Sequence, residues 1–412
     1  MNYNTHTLSN GLRIIHLPSA SPVVYCGYQL LAGSRDELPG EEGLAHFCEH
    51  TTFKGTIRRR AWHILNCLES VGGDLQAYTT KESTVYYAAI LHDHVARAVD
   101  LLTDIVFHST YPQAELDKEV EVICDEIESY NDTPSELIYD EFENHLFQGH
   151  PLGHSILGTS DGVRNFPQAD AIRFARRHYR PDNAIFFAYG DISFSRLVHL
   201  LEKAQSDLPA APTIQQQHVV DLHAHPSLQE PRTRIIHKHT HQAHVIIGTQ
   251  ACNIHDPRRM PLYLLNNILG GPGMNAKLNL ALREHHGLVY TVESNLTTYS
   301  DLGYWSIYYG CDAHDIDRCR RLVHRELQHF IDRPLSPSQL RAAKKQIKGQ
   351  IGVACDNREN FALDFGKSFL HYGRLKDIDH LYEQIDAITS QQIQEVAQEF
   401  FTEDCLFTLI FQ

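Results

Sequence analysis

At 412 residues the chain is long enough for two domains with sizeable cores, and its formal charge of −15 argues against nucleic acid or an anionic membrane surface as a partner. No run approaches the roughly eighteen apolar residues of a transmembrane helix, so no membrane span is expected. Nine cysteines without a C-x-x-C pair indicate neither a disulfide framework nor a cysteine metal site, and residues 1–6 lack the basic and apolar regions of a secretory signal, so a cytoplasmic protein is expected.

Asn10-Gly11 sits between residues 5–8 and 12–17, the turn chemistry of a tight hairpin. Residues 23–32 read as a further strand, and the Gly- and Pro-marked loop 34–43 leads into a helix. Residues 61–71 read as a second helix, closed by Gly72-Gly73. Alternation at 75–79 and 83–91 predicts strands, followed by helices at 94–107, 112–130, 135–147 and 168–178 and a strand at 184–190. Helices and hairpins intermingle, which predicts an α+β fold with mostly antiparallel sheets. Residues 211–230 lapse into Pro, Gln, Ala and Ser, the composition of a linker between an N-terminal domain (1–210) and a C-terminal domain (231–412). The halves read as copies of one unit: His178-Tyr179 to Phe186 matches Phe400-Phe401 to Thr408 at an offset of 222.

The helix after the 34–43 loop carries the chemistry. His46 and His50 stand four residues apart, so both imidazoles project from one face, and Glu49 borders it. This H-x-x-E-H order lets two histidines hold an ion while the carboxylate reaches a water on it. Cys48 lies between them; it reads as a small packed residue, yet an adduct on it would displace the histidines, so thiol reagents are expected to inhibit. The two histidines still need a third ligand. In the helix at 112–130, Val120, Ile123, Cys124 and Ile127 form an apolar stripe, and Glu119 and Glu126 lie two turns apart beside it. One could ligate a metal and the other hold a ligand in place.

These segments resemble the pitrilysin, insulysin and mitochondrial processing peptidase family of inverted zinc metallopeptidases. The resemblance continues through Gly72-Gly73, residues 130–134, His150-Pro151-Leu152-Gly153 and residues 273–290. It implies two homologous domains, one Zn2+ per chain held by His46, His50 and Glu126, Glu49 as catalytic base, and Glu119 as an accessory acid. It also implies that Arg283 and Tyr290, which share the family's spacing, complete the site, and that substrate pairs with an edge strand at Gln76-Ala77. Gln76 departs from the family's usual asparagine there. The second domain keeps the helix, at 264–269, without the ligands. The implied activity is endoproteolysis of peptides or unfolded segments within a dimeric chamber, as a homodimer or as a heterodimer with a homologous subunit; the alternative is a proteolytically silent partner subunit. A separate group, His237, His239 and His241, alternates as on one strand face, more in keeping with an exposed strand than a metal site.

Overall fold

The computed structural model describes residues 1–209, 232–238 and 240–412. Asn10 and Gly11 turn the chain between β1 (Asn4–Thr7) and β2 (Arg13–Pro18), with Gly11 in the left-handed region at φ 90°. Next come β3 (Val23–Leu30), α1 (Leu44–Thr52), α2 (Ala61–Glu69) and the hairpin of β4 (Asp74–Thr79) and β5 (Thr84–Leu91). Helices α3 (Val95–His108), α4 (Gln113–Asn131), α5 (Pro134–Leu146), α6 (Ser160–Arg164) and α7 (Gln168–His178) lead to β6 (Ala184–Gly190) and α8 (Phe194–Ala204). The later part holds β7 (Thr233–Ile236), β8 (Ala243–Gln250), α9 (Arg259–Gly270), β9 (Val289–Thr298) and β10 (Gly303–Cys311). It continues with α10 (Ile316–Asp332), α11 (Pro337–Ala354), α12 (Arg358–Tyr372), α13 (Ile378–Ala387), α14 (Ser390–Phe400) and β11 (Phe407–Phe411).

The class is α+β as expected, with two mixed sheets. One has the order β1-β2-β6-β3-β5-β4 and the other β7-β11-β8-β10-β9. Without β1 the two orders correspond strand for strand. So do the directions: β2/β6 and β7/β11 are parallel, and every other pair is antiparallel. Each sheet thus has one parallel pair, whose strands lie far apart in sequence. No described helix is long and apolar enough to cross a membrane.

The chain forms two compact units, and they differ from the contiguous spans 1–210 and 231–412 in two segments. Met1–Ser129, the described part of 154–217 and Ala354–Asp377 make the first; Tyr130–Gly153, the described part of 218–353 and Ile378–Gln412 make the second. The linker expected at 211–230 lies outside the described residues. The exchange has a packing cause. Helix α5 buries Leu137, Ile138, Phe142 and Leu146 in a cluster with Ile246, Leu409 and Phe411 of the second sheet. Helix α12 does the converse: its Phe365 rings with Phe187 and Tyr189 of β6, and Gln29 of β3 donates to the Leu363 carbonyl at 2.9 Å. Each sheet therefore takes one covering helix from the other half of the sequence.

Phe142 is fully buried in the second unit although it lies in the first half of the chain. Phe142→Ala is expected to cost about 3–5 kcal/mol. Hydrogen-exchange protection should fall in β8 and β11, with β6 much less affected, as read by mass spectrometry.

Candidate active site

Gly43 immediately precedes helix α1, and its φ of 97° and lack of a side chain leave the first amides uncapped locally. Glu37 supplies the cap from the preceding loop. Its carboxylate accepts from the Ala45 amide at 2.7 Å and the Gly43 amide at 3.0 Å, and pairs with His154 Nε2 at 2.9 Å. The side chain is fully buried; burial pushes its carboxyl up, against the downward pull of His154 and the two amides. Leu44, Ala45, Phe47 and Cys48 turn into the core, so the opposite face carries His46, Glu49 and His50 toward α4.

On α4, Leu116, Ile123, Cys124 and Ile127 are buried, which orients Glu119 and Glu126 toward the histidines. Glu126 Oε2 lies 3.2 Å from His50 Nε2 and 3.7 Å from His46 Nε2. A tetrahedral zinc with bonds of about 2.0–2.1 Å separates its ligands by about 3.3 Å, so these spacings suit one ion. The three ligating atoms all lie within 4.8 Å of one another. Glu119 takes a different position, with Oε1 3.1 Å from His50 Nδ1 and Oε2 2.5 Å from Lys54 Nζ. The two acids that spacing alone left interchangeable thus meet different nitrogens of one imidazole, Glu119 at Nδ1 and Glu126 at Nε2.

The electrostatics call for positive charge at this point. Burial disfavours a charged His50, yet Glu119, Glu126 and Glu49 outweigh it and lift the imidazole to about 9. His46 goes the other way, pushed down by burial and by the neighbouring His50. The hydrogen bond to His50 holds the Glu126 carboxyl below its usual range. Two nitrogens and a carboxylate oxygen at these spacings fit a divalent cation of borderline softness such as zinc.

Glu49 is 8 % exposed and burial raises its carboxyl pKa. Its Oε2 accepts from Thr79 Oγ1 at 2.9 Å. Thr79 ends β4, the edge strand of the sheet, so the carboxylate is tied to the strand expected to receive substrate. On that strand Gln76 is exposed and folds its amide onto Asp74 at 3.0 and 3.1 Å, while Ala77 packs against the core.

Arg283 and Tyr290 belong to the second unit and meet there. Arg283 sits on a π-wound turn, Asn279–Glu284, with its guanidinium 5.4 Å from the Tyr290 ring. Tyr290 is 81 % exposed, and both residues line a cavity of ≈ 560 Å³ with Asn267, Asn279 and Glu293. Of the separate histidine group, His237 lies beyond the end of β7, His241 is exposed and His239 is outside the described residues.

Three contributors escape the sequence pattern. Lys54 follows His50 by four residues, a helical spacing that could have flagged it. Thr79 and Glu37 carry no such signal, because only the fold brings them to α1.

The fold and this cluster define a two-sheet α+β protein with a candidate H-x-x-E-H metal centre, and comparison with known proteins agrees. Residues 14–160 match the sequence model of Insulinase (Peptidase family M16), and residues 165–347 match that of the Peptidase M16 inactive domain. The zinc protease YmxG of Bacillus subtilis, described as uncharacterized, is 31 % identical over 407 residues, covering 98 % of this chain and 97 % of its own. An uncharacterized zinc protease of Streptomyces coelicolor is 32 % identical over 397 residues, covering 95 % and 86 %. This chain belongs to peptidase family M16. A protease from Helicobacter pylori shares the fold with a TM-score of 0.89 at 20 % identity, over 100 % of this chain and 99 % of that one.

The expectation that Cys48 mediates inhibition by thiol reagents is overturned by its burial. Its Sγ is fully enclosed, 3.8 Å from the Ala171 carbonyl, and burial raises the thiol well above its usual range. In the native protein Cys48 should resist iodoacetamide, and the half-buried Cys67, Cys355 and Cys405 should label first in a peptide map.

Proposed function

We propose that this chain is a zinc-dependent endopeptidase acting on peptides or unfolded segments. The observation that carries this reading is the convergence of His46, His50 and Glu126 beside a buried, oriented Glu49. Zinc held by His46, His50 and Glu126 would supply Lewis acidity, lowering the pKa of a water and polarising a carbonyl. Glu49 accepts the proton of the attacking water and returns it to the leaving amine; burial, by raising its pKa, brings it closer to that task at neutral pH. Glu119 holds His50 from behind, and an extended peptide pairs with the free edge of β4. Arg283 and Tyr290 steady the developing oxyanion. The stretch matching an inactive domain begins at residue 165, beyond all four of His46, Glu49, His50 and Glu126, which weighs against a silent subunit.

Glu49→Gln removes the proton acceptor and leaves both imidazoles, so zinc content should persist while cleavage of a peptide library falls at least about a hundredfold. Glu126→Gln should lose most of its zinc by elemental analysis. Wild-type cleavage by Glu49→Gln would refute the mechanism, and full zinc in Glu126→Gln would move the third ligand elsewhere.

A homodimer is part of the proposal, with Arg283 and Tyr290 of one copy serving the metal centre of the other. Co-expression of Glu49→Gln with Tyr290→Phe, each nearly inactive alone, then gives one working site per mixed dimer. Random pairing makes about half the dimers mixed, so activity should recover to roughly a quarter of wild type. A mixture as inactive as its parents, with mixed dimers verified by native mass spectrometry, would rule out the shared site.

A further inference from the structure

Resting on that reading of the metal centre, we infer that Lys54 is a positioning residue for it, acting through Glu119 on His50. The Glu119 carboxylate has two oxygens and each has one partner: Oε1 meets His50 Nδ1 at 3.1 Å and Oε2 meets Lys54 Nζ at 2.5 Å. A carboxylate only accepts hydrogen bonds, so the Nδ1 facing Glu119 carries a proton, and Nε2, 3.2 Å from Glu126 Oε2, is the nitrogen left to give up its proton and offer a lone pair when a cation binds.

The His50 contact alone would not fix Glu119. The terminal torsion of a glutamate is broad and nearly two-fold, so a carboxylate held at one oxygen can swing and take the imidazole with it. Lys54 removes that freedom by holding the second oxygen. It can do so because it follows His50 by four residues: α1 ends at Thr52, Phe53 keeps helical geometry, and the Lys54 amide bonds the Thr51 carbonyl at 3.1 Å. One helical segment therefore grips both oxygens of an acid that belongs to α4. Glu119 is only 8 % exposed and the Lys54 side chain 26 %, so solvent does little to loosen the grip.

The sign of one measurement separates positioning from simple charge. Deleting a cation near a site for a dication should, by charge alone, tighten zinc binding. Loss of positioning should weaken it, as removal of a partner behind a metal-bound histidine typically does by about 10–100-fold. The zinc dissociation constant of the full chain is measured by chelator competition for wild type, Lys54→Met, Lys54→Arg and Lys118→Met. Lys118 is an exposed lysine beside Glu119 in sequence, paired with Glu115 at 2.8 Å, and serves as the charge control. Lys54→Met is expected to bind zinc at least about tenfold more weakly, Lys54→Arg to recover most of the affinity, and Lys118→Met to match wild type. Binding by Lys54→Met as tight as wild type or tighter would overturn the inference, and so would an equal loss in Lys54→Arg with its unfolding curve unchanged. Failure of the underlying reading looks different: wild-type zinc affinity would then survive Glu126→Gln.

Discussion

The buried carboxylate of Glu37 is the contact on which the helix bearing His46, Glu49 and His50 depends. Helix α1 has no side-chain cap of its own, since Gly43 at its start adopts a conformation that disfavours side chains. Glu37 provides two acceptor oxygens to the first amides, where the helix dipole also favours an anion. His154 completes the cage, and its carbonyl in turn accepts from Lys81 in the turn between β4 and β5. The start of α1 and the hairpin that presents Thr79 to Glu49 are thereby referenced to one residue. A Cβ at Gly43 would also approach the Leu157 carbonyl to 2.8 Å, so the helix start is closely packed as well as capped.

Around that helix the chemistry follows from unequal surroundings of similar groups. His46 and His50 are chemically identical, but only His50 has acids on both ring nitrogens. Glu119 and Glu126 lie on one side of α4, but only Glu126 reaches the nitrogens that converge on a point. Glu49 meets the edge strand instead, and Thr79 keeps it there. A cluster of acids around two imidazoles would be a liability if it were only structural, since like charges at short range repel. It becomes favourable when a divalent cation sits among them.

The second unit shows what the same topology does without that chemistry. β3 starts at Val23 and β8 at Ala243, an offset of 243 − 23 = 220. At that offset His46, Glu49 and His50 fall on Asn266, Leu269 and Gly270 of α9. Asn266 accepts from the Ser294 hydroxyl at 2.5 Å and from the Trp305 indole at 3.1 Å, with Trp305 fully buried. The position corresponding to His46 is here an internal hydrogen-bond hub, and the Arg283–Tyr290 pair lines the neighbouring cavity.

Features that depend on local periodicity and spacing are legible in the sequence alone. The hairpin at Asn10-Gly11, the helix bearing His46 and His50, the apolar stripe that aims Glu119 and Glu126, and the resemblance of the two halves all follow from residues close in the chain or from repeated pattern. Tertiary structure decided what depends on residues far apart. It set Glu126 and Glu119 on different nitrogens of His50, brought Thr79 to Glu49 and Glu37 to the start of α1, enclosed Cys48, and exchanged α5 and α12 between the units. The reason is that a helix's apolar face specifies that it must be covered without specifying by what. Which surface covers it, and which polar groups are carried along, is fixed only when the whole core packs.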